Sequence, residues 1–154
     1  MSEMLGNQYF MARKYQEAVK ELEPIYLNDP GNKNVSRKLI IGYIQTGKLM
    51  KGLELFTSLV KEDISFIVNA DPIFDDCPCS EIIKELQPSP NDTITPDLNI
   101  YNGIIWLYCD PIISIKYLKK AFFDFPDNLG LKSTIETIEL HIKNEHQHTF
   151  SNSN

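Results

Sequence analysis

Apolar residues recur at helical spacing from the start of the chain. Leu5, Tyr9, Tyr15, Ala18, Leu22 and Ile25 follow this spacing within each helix, and apolar positions three and four apart lie on one stripe of a helix. The pattern predicts two short helices, over 3–12 and 14–28, reversing at Arg13-Lys14 and sharing that apolar face. Gly6 and Ala18 are small enough for the two backbones to approach closely. Pro30 then stops the second helix before another begins.

The pattern returns about 34 residues later. Leu39 stands where Leu5 stood, Tyr43 where Tyr9 stood, Gly52 for Ala18 and Phe56 for Leu22. This predicts a second hairpin of helices, 33–45 and 48–61, with Gly47-Lys48 as the turn. Ile64 takes the place of Pro30, and Ile40 takes the place of Gly6.

The periodicity breaks between 64 and 96, where Asp71-Pro72, Cys77-Pro78 and Pro88-Ser89-Pro90-Asn91-Asp92 forbid a long helix. Two short helices are predicted there, Ile64–Ala70 and Ser80–Gln87, with Ile73, Phe74, Ile82, Ile83 and Leu86 tucked beneath them. Residues 88–96 read as a loop. A third hairpin starts at Thr95-Pro96-Asp97, an N-cap followed by a proline suited to the first turn. Its second helix repeats the device with Asp110-Pro111. Counting back from Pro126 puts Leu118 on the large position and Ser114 and Ala121 on the small ones. Tyr101 and Ile105 then fall in the places of Leu5 and Tyr9, and Gly103 comes one residue late. A final helix over about 128–144 carries Leu131, Ile135, Ile138 and Ile142 on one face, and the polar tail 146–154 is expected to fray.

A Leu-Gly, a Tyr, a small residue, a large apolar residue and a closing Pro at this spacing resemble the tetratricopeptide repeat, TPR. The phrase Asp71-Pro72-Ile73-Phe74-Asp75, followed by a short helix ending in leucine, resembles segments that often trail TPR arrays. The resemblance implies an all-α, right-handed superhelical stack of helical hairpins. Two hairpins would occupy 1–64, an irregular acidic insert 65–96, a third hairpin 97–127, a capping helix 128–145 and a flexible tail 146–154. The cap covers an apolar side that the last hairpin would otherwise expose.

In TPR proteins the first helices of successive hairpins line a concave groove that holds a partner peptide. Carried onto this chain, the groove would be lined by Asn7, Phe10, Met11, Lys38, Ile41, Ile44, Gln45 and Trp106, a largely apolar surface of the kind that marks a binding site. The same residues would be ordinary core if the insert or the final helix folded over them. Some TPR domains grip a chaperone's C-terminal carboxylate through lysines, asparagines and an arginine. Only Asn7 matches that ring, with Glu3, Lys38, Pro96 and Ile100 in the other places, which argues against such a clamp. The expected function is a protein–protein interaction module, an adaptor or chaperone-like scaffold holding a protein or peptide. The alternatives are a self-associating structural repeat protein, such as a homodimer, and a metal- or redox-responsive protein using Cys77 and Cys79.

Composition narrows the classes. The formal net charge is −6, and the acidity is concentrated in residues 64–97, which hold seven acidic residues and one basic one, Lys84. No basic face suits nucleic acid. The longest apolar runs are too short to span a bilayer. No basic-then-apolar leader opens the chain, so a cytoplasmic location is expected.

No phosphate loop, nucleophile elbow or paired metal histidines occur, so neither enzyme activity nor a cofactor is expected. Cys77-Pro78-Cys79 with Asp75 and Asp76 could hold a soft metal or exchange disulfides. A zinc site would still lack ligands, Cys109 could join only through the fold, and the aspartates would raise the thiol pKa. Buried structural cysteines are the plainer reading. His141 flanks the last helix's stripe, and His146 with His148 could bind a metal weakly.

Overall fold

The computed structural model describes residues 2–71, 77–86 and 94–152, with side chains described as far as Gln147. Expectations for Ile73, Phe74, Asp75, Asp76, Gln87, the loop from 88 to 93 and the His148 side chain lie outside these. The regular structure among the described residues is entirely helical. Two compact units divide the chain, Met1–Leu59 and Val60–Asn154.

The N-terminal unit holds α1 (Glu3–Met11), α2 (Tyr15–Asn28), α3 (Lys33–Gln45) and most of α4 (Leu49–Asp63). Helix α1 packs on α2, and α2 packs in turn on α3. The predicted bounds hold to within about two residues. Helix α1 starts because the Ser2 hydroxyl accepts a bond from the Leu5 amide at 3.2 Å, and Asn32 does the same for Val35 at 3.2 Å at the start of α3. Such caps satisfy amides that have no partner inside the helix, each contributing about 1 kcal/mol.

The reversals at 12–14 and 46–48 are built alike. Lys14 N–H donates to Tyr9 C=O at 2.9 Å, and Lys48 N–H to Tyr43 C=O at 2.9 Å. Each bond closes a six-residue helix-ending loop, which requires a left-handed residue just before the lysine. Gly47 fills that role with φ of 79°, and Arg13 fills it with φ of 61°. The arginine accepts a backbone conformation that glycine adopts freely.

Glu23 of α2 joins α3 and α4. The Tyr43 hydroxyl donates to its carboxylate at 2.5 Å, and Lys51 Nζ lies 3.7 Å from the same oxygen. The hydrogen bond from Tyr43 is the main reason the Glu23 carboxyl is held below its ordinary value. The Tyr43 phenol is raised, first by burial and then by that bond. Tyr43→Phe is therefore expected to cost about 1.5–3 kcal/mol at neutral pH, the range for a hydrogen bond to a charged group. A carboxylate with a depressed folded pKa stabilises above its unfolded value, about 4.3, and the benefit disappears as pH falls through the folded value. Urea midpoints of the two proteins should thus converge in acid below about pH 4. A gap that persisted there would show that Tyr43 acts through packing alone.

The C-terminal unit holds α5 (Ser65–Val68), α6 (Cys79–Glu85), α7 (Pro96–Leu107), α8 (Pro111–Asp124) and α9 (Leu129–Asn152). Helix α7 packs on α8, α8 on α9, and α6 on α7. The caps read from sequence are in place: the Thr95 hydroxyl accepts from Leu98 N–H at 3.2 Å and the Asp110 carboxylate from Ile112 N–H at 3.0 Å. Asn128 caps α9 through Leu131 N–H at 3.0 Å. Helix α9 runs to Asn152 rather than fraying at 146. Residues 145–152 contain neither glycine nor proline to stop it.

The third hairpin departs by one residue from the register expected of it. A β-carbon on Gly6 would sit 2.6 Å from Leu22 Cδ2, and one on Gly103 would collide with the Leu118 side chain in the same way. Gly103, not Asn102, therefore occupies the close-approach position. The Ser114 hydroxyl donates to Gly103 C=O at 2.5 Å and ties the two helices at that point. The turn explains the shift. No described non-glycine residue besides Arg13 has a positive φ, so the third reversal lacks a left-handed residue. Its Cys109 and Asp110 amides both donate to Trp106 C=O instead.

Candidate functional site

The structure brings some of the residues expected to line a groove together and buries others. In the N-terminal unit, Lys38 Nζ donates to Asn7 Oδ1 at 3.0 Å, joining α3 to α1. One turn away Asn32 Nδ2 donates to Glu3 Oε2 at 3.4 Å. Met11, at 62% exposed, and Met4 stand clear of the surface near these pairs on α1. Gln45 is half-buried.

Phe10, Ile41 and Ile44 do not line an open surface. They are 1%, 1% and 4% exposed. The Phe10 ring meets Tyr15 edge-on, with centroids 5.9 Å apart. Ile44 faces α4, where a β-carbon on Gly52 would lie 2.8 Å from its Cγ2. Helix α3 is buried on nearly every side, with Leu39, Ile40, Ile41, Gly42, Tyr43 and Ile44 all inaccessible in succession. A continuous apolar run belongs to a helix enclosed all round, not to one with a binding stripe and a packing stripe.

Trp106 belongs to the C-terminal unit and is half-buried. With Gly103 in the place of Gly6, Trp106 corresponds to Tyr9, and the fully buried Leu107 corresponds to Phe10. The one-residue shift thus takes Trp106 out of the position from which it was read as a groove residue.

A recess in the C-terminal unit lies between α8 and α9, a cleft of about 760 Å³. Ile112, Ile115, Leu140 and Ile142 form its apolar floor, and Lys116, Lys119 and Lys143 line it with positive charge beside His146. Ile112 and Leu140 are each 58% exposed. Among the described lining residues Glu139 is the one acid, and its carboxylate lies 3.3 Å from Lys119 Nζ. Sequence reading missed this cleft because Ile112 and Leu140 fall beside the packing stripes of their helices rather than on them. Their signal was present only as apolar residues unaccounted for by either stripe.

The three cysteines meet in the C-terminal unit. The Cys77 and Cys109 thiols both lie within hydrogen-bonding reach of the Cys79 sulfur. Interaction with Cys109, then with Cys77, lowers the Cys79 thiol below its ordinary value, and Ser80 adds to the effect against the opposing influence of burial. The Cys77 and Cys109 thiols are raised, each first by its bond to Cys79. The expectation that this site disfavours thiolate therefore fails at Cys79, where neighbouring S–H groups outweigh burial. Among the described residues no group of three His, Cys, Asp or Glu side chains is arranged to hold a metal ion, and no helix is long and apolar enough to cross a membrane.

Comparison of the chain with family models, with curated proteins and with solved structures found no match in any of the three.

Proposed function

We propose that this protein is a non-enzymatic interaction module of the TPR-like class, and that it receives an acidic amphipathic helix of a partner protein in the α8–α9 cleft. The resemblance at Leu5-to-Pro30, its echo at Leu39-to-Phe56 and the matched turns at Lys14 and Lys48 support the class. The observation that carries the reading is the cleft itself. Solvent-exposed Ile112 and Leu140 lie between lysines in a chain whose net charge is −6. Apolar side chains exposed in a recess gain from being covered, and a positive rim selects an acidic neighbour and speeds its approach.

An amphipathic helix fits because its anchors recur every three or four residues along a groove between two helices. The test is fluorescence anisotropy with a labelled synthetic peptide bearing leucines at that spacing and glutamates between them. The full chain is expected to bind it, to bind more weakly as salt rises, and to leave the lysine-for-glutamate version unbound. Lys116→Glu combined with Lys143→Glu should weaken binding at least tenfold, since each rim charge then repels. Equal binding of both peptides, or no change in the double variant, would remove the cleft as the site.

A further inference from the structure

We propose that Cys79 and Cys109 form a reversible disulfide when a peroxide oxidises the protein, pinning α6 to the end of α7. All three cysteines of the chain converge on one point although Cys79 and Cys109 are thirty residues apart in sequence. Cys79 opens α6, Cys109 follows the last turn of α7, and these two helices pack together. The Cys109 side chain reaches solvent.

Cys79 is the sulfur that attacks. It lies within hydrogen-bonding reach of both other thiols and of Ser80, so its charged form is the one the site supports, and thiolate is the reactive form. It is only 1% exposed, which favours a small oxidant over a bulky disulfide such as oxidised glutathione. In the first step the Cys79 thiolate attacks one peroxide oxygen. The O–O bond breaks, Cys79 becomes a sulfenic acid and hydroxide leaves. In the second step the Cys109 sulfur attacks the Cys79 sulfur, the S–O bond breaks, and water departs with the Cys109 proton. Two electrons pass from the two thiols to the peroxide. Cys109 is the resolving partner because it already meets Cys79 from the turn that follows α7. A bond between Cys77 and Cys79 would have to close a small ring across a single proline.

The experiment is peptide mapping of the full chain, reduced and then treated with roughly stoichiometric hydrogen peroxide at neutral pH. Remaining thiols are alkylated in denaturant before digestion. The expected result is a Cys79–Cys109 cross-linked peptide, alkylated Cys77, and complete reversal by dithiothreitol. Three alkylated cysteines, or a bridge that includes Cys77, would overturn the proposal. Two variants carry the test further. Cys109→Ser should leave a Cys79 sulfenic acid that adds dimedone, while Cys77→Ser should still form the bridge. Loss of the bridge in Cys77→Ser, with the helical circular dichroism intact, would also overturn it.

Discussion

Phe10→Ala is expected to lower the stability of the N-terminal unit by about 3–5 kcal/mol, the usual cost of truncating a buried aromatic. The ring is 1% exposed and packs against Tyr15 in a T-shaped contact across the first turn. Removing it loses the transfer energy of the ring, the aromatic pair and the packing of α1 on α2 together. A surface aromatic held ready for a partner would behave otherwise, changing stability by less than about 0.5 kcal/mol. Urea denaturation separates the two descriptions. A midpoint unchanged within that margin would mean that the ring is not core, and the groove first expected at Phe10, Ile41 and Ile44 would be restored. The same logic applies to Ile41→Glu. As a surface substitution it would probe binding, but at a buried position it introduces a charge without a partner and unfolds the unit.

The helices were legible in the sequence because their signals are local. Period, caps and stops each act within a turn or two, so Thr95, Asp110 and Pro30 declare themselves without knowledge of the rest. Arg13 and Gly47 were legible as turns for the same reason. What each helix faces is not local. The six successive apolar residues from Leu39 to Ile44 left open whether α3 bordered a groove or lay inside, and packing from several directions decided it. The thiol cluster was half legible: Cys77 and Cys79 announce themselves by adjacency, but Cys109 joins them only because α6 packs on α7. The cleft between α8 and α9 depends on two residues off the packing stripes, a pattern that period counting discards.

Leu118→Ala is expected to cost about 2–5 kcal/mol, and its partner Gly103 allows the cause to be isolated. Leu118 is fully buried, and its side chain fills the space that a β-carbon on Gly103 would need. Gly103→Ala alone gains about 1 kcal/mol of helix propensity but must displace the leucine, an overpacking cost of about 1–3 kcal/mol. The leucine's backbone amide also lies 3.4 Å from that β-carbon, so the side chain cannot simply swing clear while the helices stay in place. The hydrogen bond from Ser114 to Gly103 C=O further resists separation of α7 from α8. The single glycine substitution should therefore be destabilising in the native background. With Leu118→Ala present, the new methyl group enters vacated space, and Gly103→Ala should become stabilising by about 1 kcal/mol, since only the propensity gain remains. A double-mutant cycle by urea denaturation reads this reversal as a coupling of about 1–3 kcal/mol. Additive effects would mean that the two residues do not touch. The one-residue register that makes Trp106 correspond to Tyr9 would then lose its physical basis.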